Sequence, residues 1–475
     1  MTASLVVDGL TVRAGSERLV RDLSLSVALG VPLTILGETG SGKTLVAEAA
    51  MGTLAPELAA TGRVAVGGVA SEAGDRAARA PLWGRGLALL PQEPWLALDP
   101  TMRALAQVAL GHRHVRGLPA AEARARAGAD LAALGLADAA RLFPHQLSGG
   151  MAQRVAVAAA RAGGAPLLIA DEPTKGLDAA LRDAVVALLR GALRAGGGLL
   201  CITHDIALPR ALGGEVVVML GGEVVERGPA AAVLARPSHA YTRRLVAAEP
   251  EAWPEAPFPT AGETAIEGRE LAVERGGRRI FSDVDVTVGA GEWMAITGPS
   301  GCGKTTLGNV LLGLLPPAEG TVRRRPGTAR TRYQKLYQDP VATFAPRRRL
   351  REALAETAAL HRLPWARVAA TLDRLRVADA LLDRRPDQVS GGELQRVAVA
   401  RALIPDPVFL FADEPTSRLD PVTQQETMAM LGEATRERGC AVLLVTHDHA
   451  MARKVAGRAL ALGAIELHPV DRIGG

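Results

Sequence analysis

The sequence predicts an α/β chain of two tandem domains, each a buried parallel sheet that leads into a glycine-rich cradle. Three observations predict it. The form G-x-x-x-x-G-K-[ST] occurs twice, as GETGSGKT (37–44) and GPSGCGKT (298–305). Each copy lies between an apolar run (PLTILG, WMAITG) and an apolar helical stretch (TLVAEAAMGTL, TTLGNVLLGLL), the strand–loop–helix context this motif requires. Behind each cradle, four segments recur in the same order: PQEPWLALDP and YQDPVATFAP, LSGGMAQR and VSGGELQR, LLIADEP and FLFADEP, ITHD and VTHD.

The offset between copies is 261 residues at Lys43 and Lys304, 246 at Gln92 and Gln338, and 243 at His204 and His447. The second copy is therefore expected to lack a loop between its cradle and its glutamine. The boundaries read as a first domain over 1–246, a proline-rich linker over 247–265 and a second domain over 266–475. Pro250, Pro254, Pro257 and Pro259 fall within ten linker residues, which excludes helix and favours an extended, semi-rigid tether.

Each domain opens on strand patterns, SLVVDGLTVRA with LSLSVALG and RELAVERGG with VDVTVGAGEWMAITG. Helical periods follow the glutamines, as in AEARARAGADLAALGL and WARVAATLDRLRVADALL. PLLIADEP and LLCITH read as buried parallel strands.

Composition narrows the class. No apolar run reaches the ~18–20 residues of a membrane helix, and MTASLVVDGL meets Asp8 without a basic stretch, unlike a signal peptide. Cys201, Cys302 and Cys440 are odd in number and far apart, so neither a disulfide framework nor a zinc site is expected. The net charge of +5 comes from a chain with five lysines and fifty arginines. The runs Arg323–Arg325 and Arg347–Arg349 are expected to be solvated faces, because no aromatics alternate with them, and no nucleic-acid partner is expected.

The residue types of each repeat have a chemical logic. In a cradle, backbone N–H groups and a helix N-terminus face the phosphates. Gly37, Gly40, Ser41, Gly42, Lys43 and Thr44 form the first, and Gly298, Gly301, Cys302, Gly303, Lys304, Thr305 and Thr306 the second. The lysines reach the β- and γ-phosphates and the threonine hydroxyls suit Mg²⁺. Asp171 and Asp413 end apolar strands, where a carboxylate can assist the metal. Glu172 and Glu414 follow and are expected to act as general bases or to polarise water. His204 and His447 are expected at the γ-phosphate. Ser148-Gly149-Gly150 and Ser390-Gly391-Gly392 open helices and suggest a second anion-binding N-terminus, whereas the bland reading is helix capping.

These segments resemble the ATP-binding-cassette family over nearly the whole chain. The order of cradle, glutamine loop, signature, Asp-Glu strand, GLD or RLD loop and histidine is met twice. The resemblance implies two tandem P-loop nucleotide-binding domains. Each would have a RecA-like α/β core, an antiparallel β subdomain and a helical signature subdomain. It also implies ATP and Mg²⁺ as ligands, with Gln92 and Gln338 at the metal, and two cassettes packed head to tail. Lys43, Thr44, Asp171 and Glu172 would then work with Ser390 and Gly392, and Lys304, Thr305, Asp413 and Glu414 with Ser148 and Gly150.

The stretch GPAAAVLARPSHAYTRRLVAAEP (228–250) is similar to the tail of the oligopeptide, dipeptide and nickel importer ATPases, opine and metallophore importers included, although Ala240 stands where proline is usual. That implies a peripheral motor on the cytoplasmic face of the inner membrane, two permease partners and, through them, an extracytoplasmic solute-binding protein. Two alternatives stay open: a translation-factor type acting without a permease, and a sugar-type importer ATPase. The sequence departs from the family at the adenine slot. Val12-Arg13-Ala14 and Val273-Glu274-Arg275 carry no aromatic, and none occurs before Trp83.

Overall fold

Two six-stranded sheets carry the two cradles. The computed structural model describes residues 3–92, 97–175, 177, 179–256, 262–299, 301–463 and 466–468. It separates into the units Met1–Val246 and Ala247–Gly475. Of the sequence features above, residues 93–96 of the first glutamine loop, Gly176 and Asp178 of the first GLD, Ser300 of the second cradle, and Pro257 and Pro259 lie outside the described residues.

In the first unit the main sheet runs Glu223–Pro229, Glu215–Leu220, Pro32–Gly37, Gly198–Thr203, Leu167–Asp171, Leu87–Leu90. All neighbours are parallel except the hairpin of the first two. The strands Pro32–Gly37, Leu167–Asp171 and Gly198–Thr203 are buried along their whole length. Alternate residues serve opposite faces. Leu167, Ile169, Leu200 and Ile202 join a core with the cradle helix Lys43–Met51 and the antiparallel sheet Glu17–Ala28, Ala3–Ala14, Leu58–Val66, Val69–Glu72. Leu168, Ala170, Leu199 and Cys201 face the helices Ala104–Leu110, Ala120–Ala133 and Gly149–Ala162. A sheet covered on both faces needs continuous apolar strands, which is how PLLIADEP and LLCITH read.

The second unit repeats the plan, with a main sheet Tyr333–Leu336, Phe409–Asp413, Ala441–Val445, Trp293–Thr297, Arg458–Ala461, Glu466–His468. Its antiparallel sheet has three strands, Arg278–Gly289, Thr264–Arg275 and Glu319–Arg324. The shortening read from the offsets is more than a loop. The first unit has the edge strand Val69–Glu72 and the short helix Arg76–Arg79 at that point, and among the described residues the second has only the turn Arg330–Arg332.

Two expectations need correction. The linker is not an extended tether over 249–256. Trp253 is 5% exposed in a core cluster with Trp293, Val442 and Met451. Its Nε1 donates to Ala248 O at 2.8 Å, and Ala256 N donates to Lys454 O at 2.8 Å. The strand Thr264–Arg275 also begins inside 247–265. Nor do the prolines exclude helix there: Pro250 opens the 3-10 turn Pro250–Ala252, where its missing N–H costs nothing, and the segment docks where a large apolar ring gains a buried site. Second, the run Arg323–Arg325 is not simply a solvated face. Arg324 lies over the Tyr333 ring at 5.6 Å and donates to Leu311 O at 2.6 Å. Arg347, Arg348 and Arg349 are exposed as expected.

Candidate nucleotide site

Strand order brings the chemistry of each repeat to one sheet edge. The strand Gly198–Thr203, which His204 follows, lies between the cradle strand and the strand that ends at Asp171, and all three are parallel. Their carboxyl ends therefore collect the cradle, Asp171, Glu172 and His204, the usual ligand edge of an open α/β sheet. The same order places the cradle, Asp413, Glu414 and His447 together in the second unit.

The cradles are closed by their own lysines. Gly42 and Gly303, at φ 92 and 102, are the left-handed caps of the helices Lys43–Met51 and Lys304–Leu312. Lys43 Nζ donates to Gly37 O at 2.9 Å and Glu38 O at 2.6 Å, and Ser41 Oγ donates to Glu38 O at 2.9 Å. Lys304 Nζ donates to Gly298 O at 2.8 Å and Pro299 O at 3.0 Å. Both ammonium groups thus lie over the loop that would hold phosphates.

The acidic residues differ in role. Burial pushes the Asp171 carboxyl up to about 6; Thr44 beside it opposes this, Glu172 adds to it, Lys43 opposes it and Glu48 adds to it. Its Oδ1 is buried without a hydrogen-bond partner. Such an atom, beside a threonine hydroxyl at the mouth of a phosphate cradle, fits a hard cation that takes its remaining oxygens from phosphate and water. Among the described residues no group of three or more His, Cys, Asp or Glu could hold a metal without such help. In the second unit Thr305 Oγ1 donates to Asp413 Oδ1 at 2.9 Å. Thr306 is half-buried beside it.

Glu172 and Glu414 adopt φ of 49 and 46, in the left-handed region. This is a strained conformation for a side chain of that size, and such strain concentrates at functional sites. It turns each glutamate away from the aspartate before it. Glu172 Oε1 meets His204 Nδ1 at 2.7 Å, and Oε2 accepts from Thr203 Oγ1 at 3.2 Å and His204 N at 3.4 Å. Burial by itself would raise the Glu172 carboxyl, but His204, with Lys43 and Lys175, outweighs it and the net direction is down. Glu414 Oε1 meets the other ring nitrogen, His447 Nε2, at 2.5 Å, and Oε2 accepts from Gln338 Nε2 at 2.8 Å. The histidines expected at a γ-phosphate are thus placed on the glutamates. Gln92 ends the segment Leu87–Gln92 at the edge of the described residues.

At the signatures the serine is a cap: Ser148 Oγ accepts from Met151 N and Ser390 Oγ from Glu393 N, both at 3.3 Å. The paired glycines divide the remaining work. A Cβ on Gly149 or Gly391 would meet nothing within 4 Å, so those positions leave room for a ligand. A Cβ on Gly150 would meet Leu181 Cδ2 at 2.3 Å and one on Gly392 would meet Thr423 Cγ2 at 2.6 Å, so the second glycine is a packing requirement.

Sequence reasoning assigned no site role to Tyr241. Its hydroxyl accepts from Glu38 N at 2.8 Å, inside the first cradle. The helix Ala240–Ala247 that carries it is held by Glu226, which accepts from Ser238 N at 2.7 Å and His239 N at 3.1 Å. Burial would raise that carboxyl, but the donors of this segment hold it at about 2. The HAYT stretch was visible in the sequence, whereas a contact spanning 203 positions was not.

A family profile described as ABC transporter matches residues 20–175 and 281–417, the two cradle-bearing cores. The chain belongs to the ABC transporter family. It is 31% identical to the uncharacterized ABC transporter ATP-binding protein YejF of Escherichia coli (strain K12), across 99% of this chain and 96% of the relative. It is 33% identical to the peptidoglycan transport ATP-binding protein YejF of Agrobacterium fabrum, across 92% and 86%. It is 31% identical to the glutathione import ATP-binding protein GsiA of Salmonella typhi, across 92% and 81%. The solved structure of an RNase-L inhibitor superposes with a TM-score of 0.64 at 21% identity, over 97% of this chain and 88% of the other, a likeness of fold. This ABC protein binds ATP and is an ATPase, with two tandem cassettes of the expected α/β fold.

The cysteines of this ABC ATPase are unequal. Cys201 and Cys440 are wholly buried, and burial pushes Cys440 up to about 12 and Cys201 well above the usual thiol range. Cys302 is part-exposed in the second cradle. A maleimide is expected to label Cys302 ahead of the other two, and ATP is expected to protect it. Equal labelling with and without nucleotide, read by mass spectrometry, contradicts its place at the phosphates.

Proposed function

We propose that this chain is the ATP-hydrolysing motor of an importer, with both cassettes catalytically competent. The observation that carries this is the glutamate–histidine pair in each copy, Glu172 with His204 and Glu414 with His447, each beside an intact cradle. In this reading Lys43 and Lys304 exchange the loop carbonyls for β- and γ-phosphate oxygens. Glu172 and Glu414 accept a proton from the attacking water, oriented by the histidines. Thr44, Gln92 and Asp171, and Thr305, Gln338 and Asp413, would hold Mg²⁺, which supplies charge neutralisation for the phosphates. Ser148, Gly149 and Gly150, and Ser390, Gly391 and Gly392, would contact nucleotide phosphate through the helix N-termini that they open.

The partners in this reading are two membrane permeases and, through them, an extracytoplasmic solute-binding protein. Among the described residues no helix is long and apolar enough to cross a membrane. The chain would work peripherally on the cytoplasmic face of the inner membrane. Relatives named for peptidoglycan transport and glutathione import support a peptide-bearing solute over nickel, an opine or a metallophore. The translation-factor alternative has only fold likeness behind it: the solved complex that contains an archaeal ribosome recycling factor is 21% identical, with a TM-score of 0.64. The deciding experiment is purification of the tagged chain from detergent-solubilised membranes. Two permeases are expected with it, and ribosomes in their place would overturn the reading. Arg347, Arg348 and Arg349 lie exposed after the second glutamine loop. Replacing all three by alanine is expected to weaken that assembly and leave ATP binding unchanged, and normal pull-down of the triple variant would return the run to plain solvent exposure.

Base recognition is expected to be weak. Val12 is fully buried, Arg13 and Ala14 are half-buried at a hairpin turn, and Phe281 lies in the core of the second unit. An aromatic–base stack is worth ~1–3 kcal/mol. Without one, GTP is expected to support hydrolysis within a few-fold of ATP, and Ala14→Tyr to tighten ATP binding. A competition assay with GTP binding a hundredfold worse would identify another residue as the reader of the base.

A further inference from the structure

The two copies differ at two matched positions beside their aspartates. Lys335 is paired in register with Phe411, as Leu89 is with Ile169 in the first copy. Asn309 stands five residues beyond Lys304, where the first copy has Glu48 beyond Lys43. Lys335 Nζ lies 3.3 Å from Asp413 Oδ2 and 3.0 Å from Asn309 Oδ1. It also lies 5.3 Å from the Phe411 ring centre and 4.9 Å from that of Tyr337. The side chains of Lys335 and Asp413 are 10% and 7% exposed. With Thr305 on Oδ1, both oxygens of Asp413 are engaged. In the first copy Asp171 Oδ1 has no hydrogen-bond partner, and a second carboxylate, Glu48, takes the place of the neutral Asn309.

We infer that Lys335 is a positioning residue that lowers the divalent-cation affinity of the second cassette, so that the two cassettes load their metal unequally and the first fills at the lower concentration. The inference rests on the magnesium reading above. A cation arriving at Asp413 meets an ammonium that already neutralises the carboxylate, in a pocket too poorly hydrated to screen the repulsion. Asn309 suits this arrangement, because a neutral amide oxygen holds the ammonium without adding negative charge. In the first copy the leucine brings no charge to the aspartate, which has Thr44 and Lys43 beside it but no counterpart of Lys335, and Glu48 adds to the negative potential there. The lysine is not a substitute for the cradle lysine, since Lys304 keeps its own place on Gly298 O and Pro299 O.

The test is Mn²⁺ binding to the full chain with a non-hydrolysable ATP analogue, followed by electron paramagnetic resonance. Two classes of bound Mn²⁺ are expected, separated by about tenfold or more in affinity. Asp171→Asn should remove the tighter class and Asp413→Asn the weaker. Lys335→Met should raise the weaker class towards the tighter one. Asn309→Glu, which keeps the lysine and should fold whether or not Lys335→Met does, should raise it too. Leu89→Lys combined with Glu48→Asn should lower the tighter class. Two equal classes in the unmodified chain, or a weaker class that neither Lys335→Met nor Asn309→Glu moves, would overturn the inference and leave the magnesium reading standing. No Mn²⁺ bound at either cassette would overturn both.

Discussion

Glu172→Gln and Glu414→Gln are each expected to lower ATP hydrolysis at the cassette that carries the change by ~10²–10⁴-fold, and the double variant is expected to retain bound ATP. The structure explains why so small a change should matter. Glutamine preserves the shape of the side chain and its strained backbone, at φ 49 and 46. What it loses is the negative charge that His204 and the lysines sustain despite burial. An amide in that place cannot accept a proton from water, and its N–H group competes for the position that the histidine fills. Phosphate release under steady state, with trapped nucleotide counted after rapid filtration, checks both parts. A Glu414→Gln chain that hydrolyses ATP at the unmodified rate would show that the second cassette contributes no chemistry.

Gly308→Ala is expected to destabilise the second unit by about 1–3 kcal/mol, and Phe411→Ile in the same chain to recover most of the loss. Gly308 lies in the helix behind the second cradle, against the fully buried Phe411. A Cβ there would lie 2.1 Å from Phe411 Cζ and 2.3 Å from two further ring carbons, so the ring has to move. The first copy solves the same contact with the opposite pair, Ala47 against Ile169, both buried. Large against none and medium against small are two fillings of one space, and mixing them overfills it. Denaturant unfolding of the two single variants and the double closes a cycle, with a coupling of at least about 0.5 kcal/mol expected for residues in contact. Additive single effects would mean that the ring does not face the helix as described.

What was legible in the sequence was what is local. A cradle, an Asp-Glu pair at a strand end and a Thr-His-Asp triplet are short words whose neighbours dictate their setting, and their order named the sheet that gathers them. The apolar strands could be recognised as buried because both faces are covered. What was not legible depends on partners distant in the chain or on backbone torsion. Nothing in DEP announces a left-handed glutamate. Lys335 reads as a lysine on a strand until Phe409–Asp413 lies beside it. The Ser-Gly-Gly glycines look equivalent, yet only the second is crowded by the following helix. The linker misled for a related reason: its prolines are a local signal, whereas the burial of Trp253 is decided by residues up to two hundred positions further on.

That indole bears on where the chain can be divided. The first strand of the second cassette begins at Thr264, close to the boundary at 266 read from the sequence, and an isolated second cassette would naturally be started there. Such a fragment would lack Trp253, and its core would be left with a pocket the size of an indole against Trp293 and Met451. Losing a buried tryptophan typically costs about 3–5 kcal/mol, a large part of what a domain has to spare. A fragment starting at or before Ala247 keeps the plug. Poor behaviour of a second cassette expressed from Thr264 would therefore say nothing about its need for the first cassette, only that it was cut through its own interior.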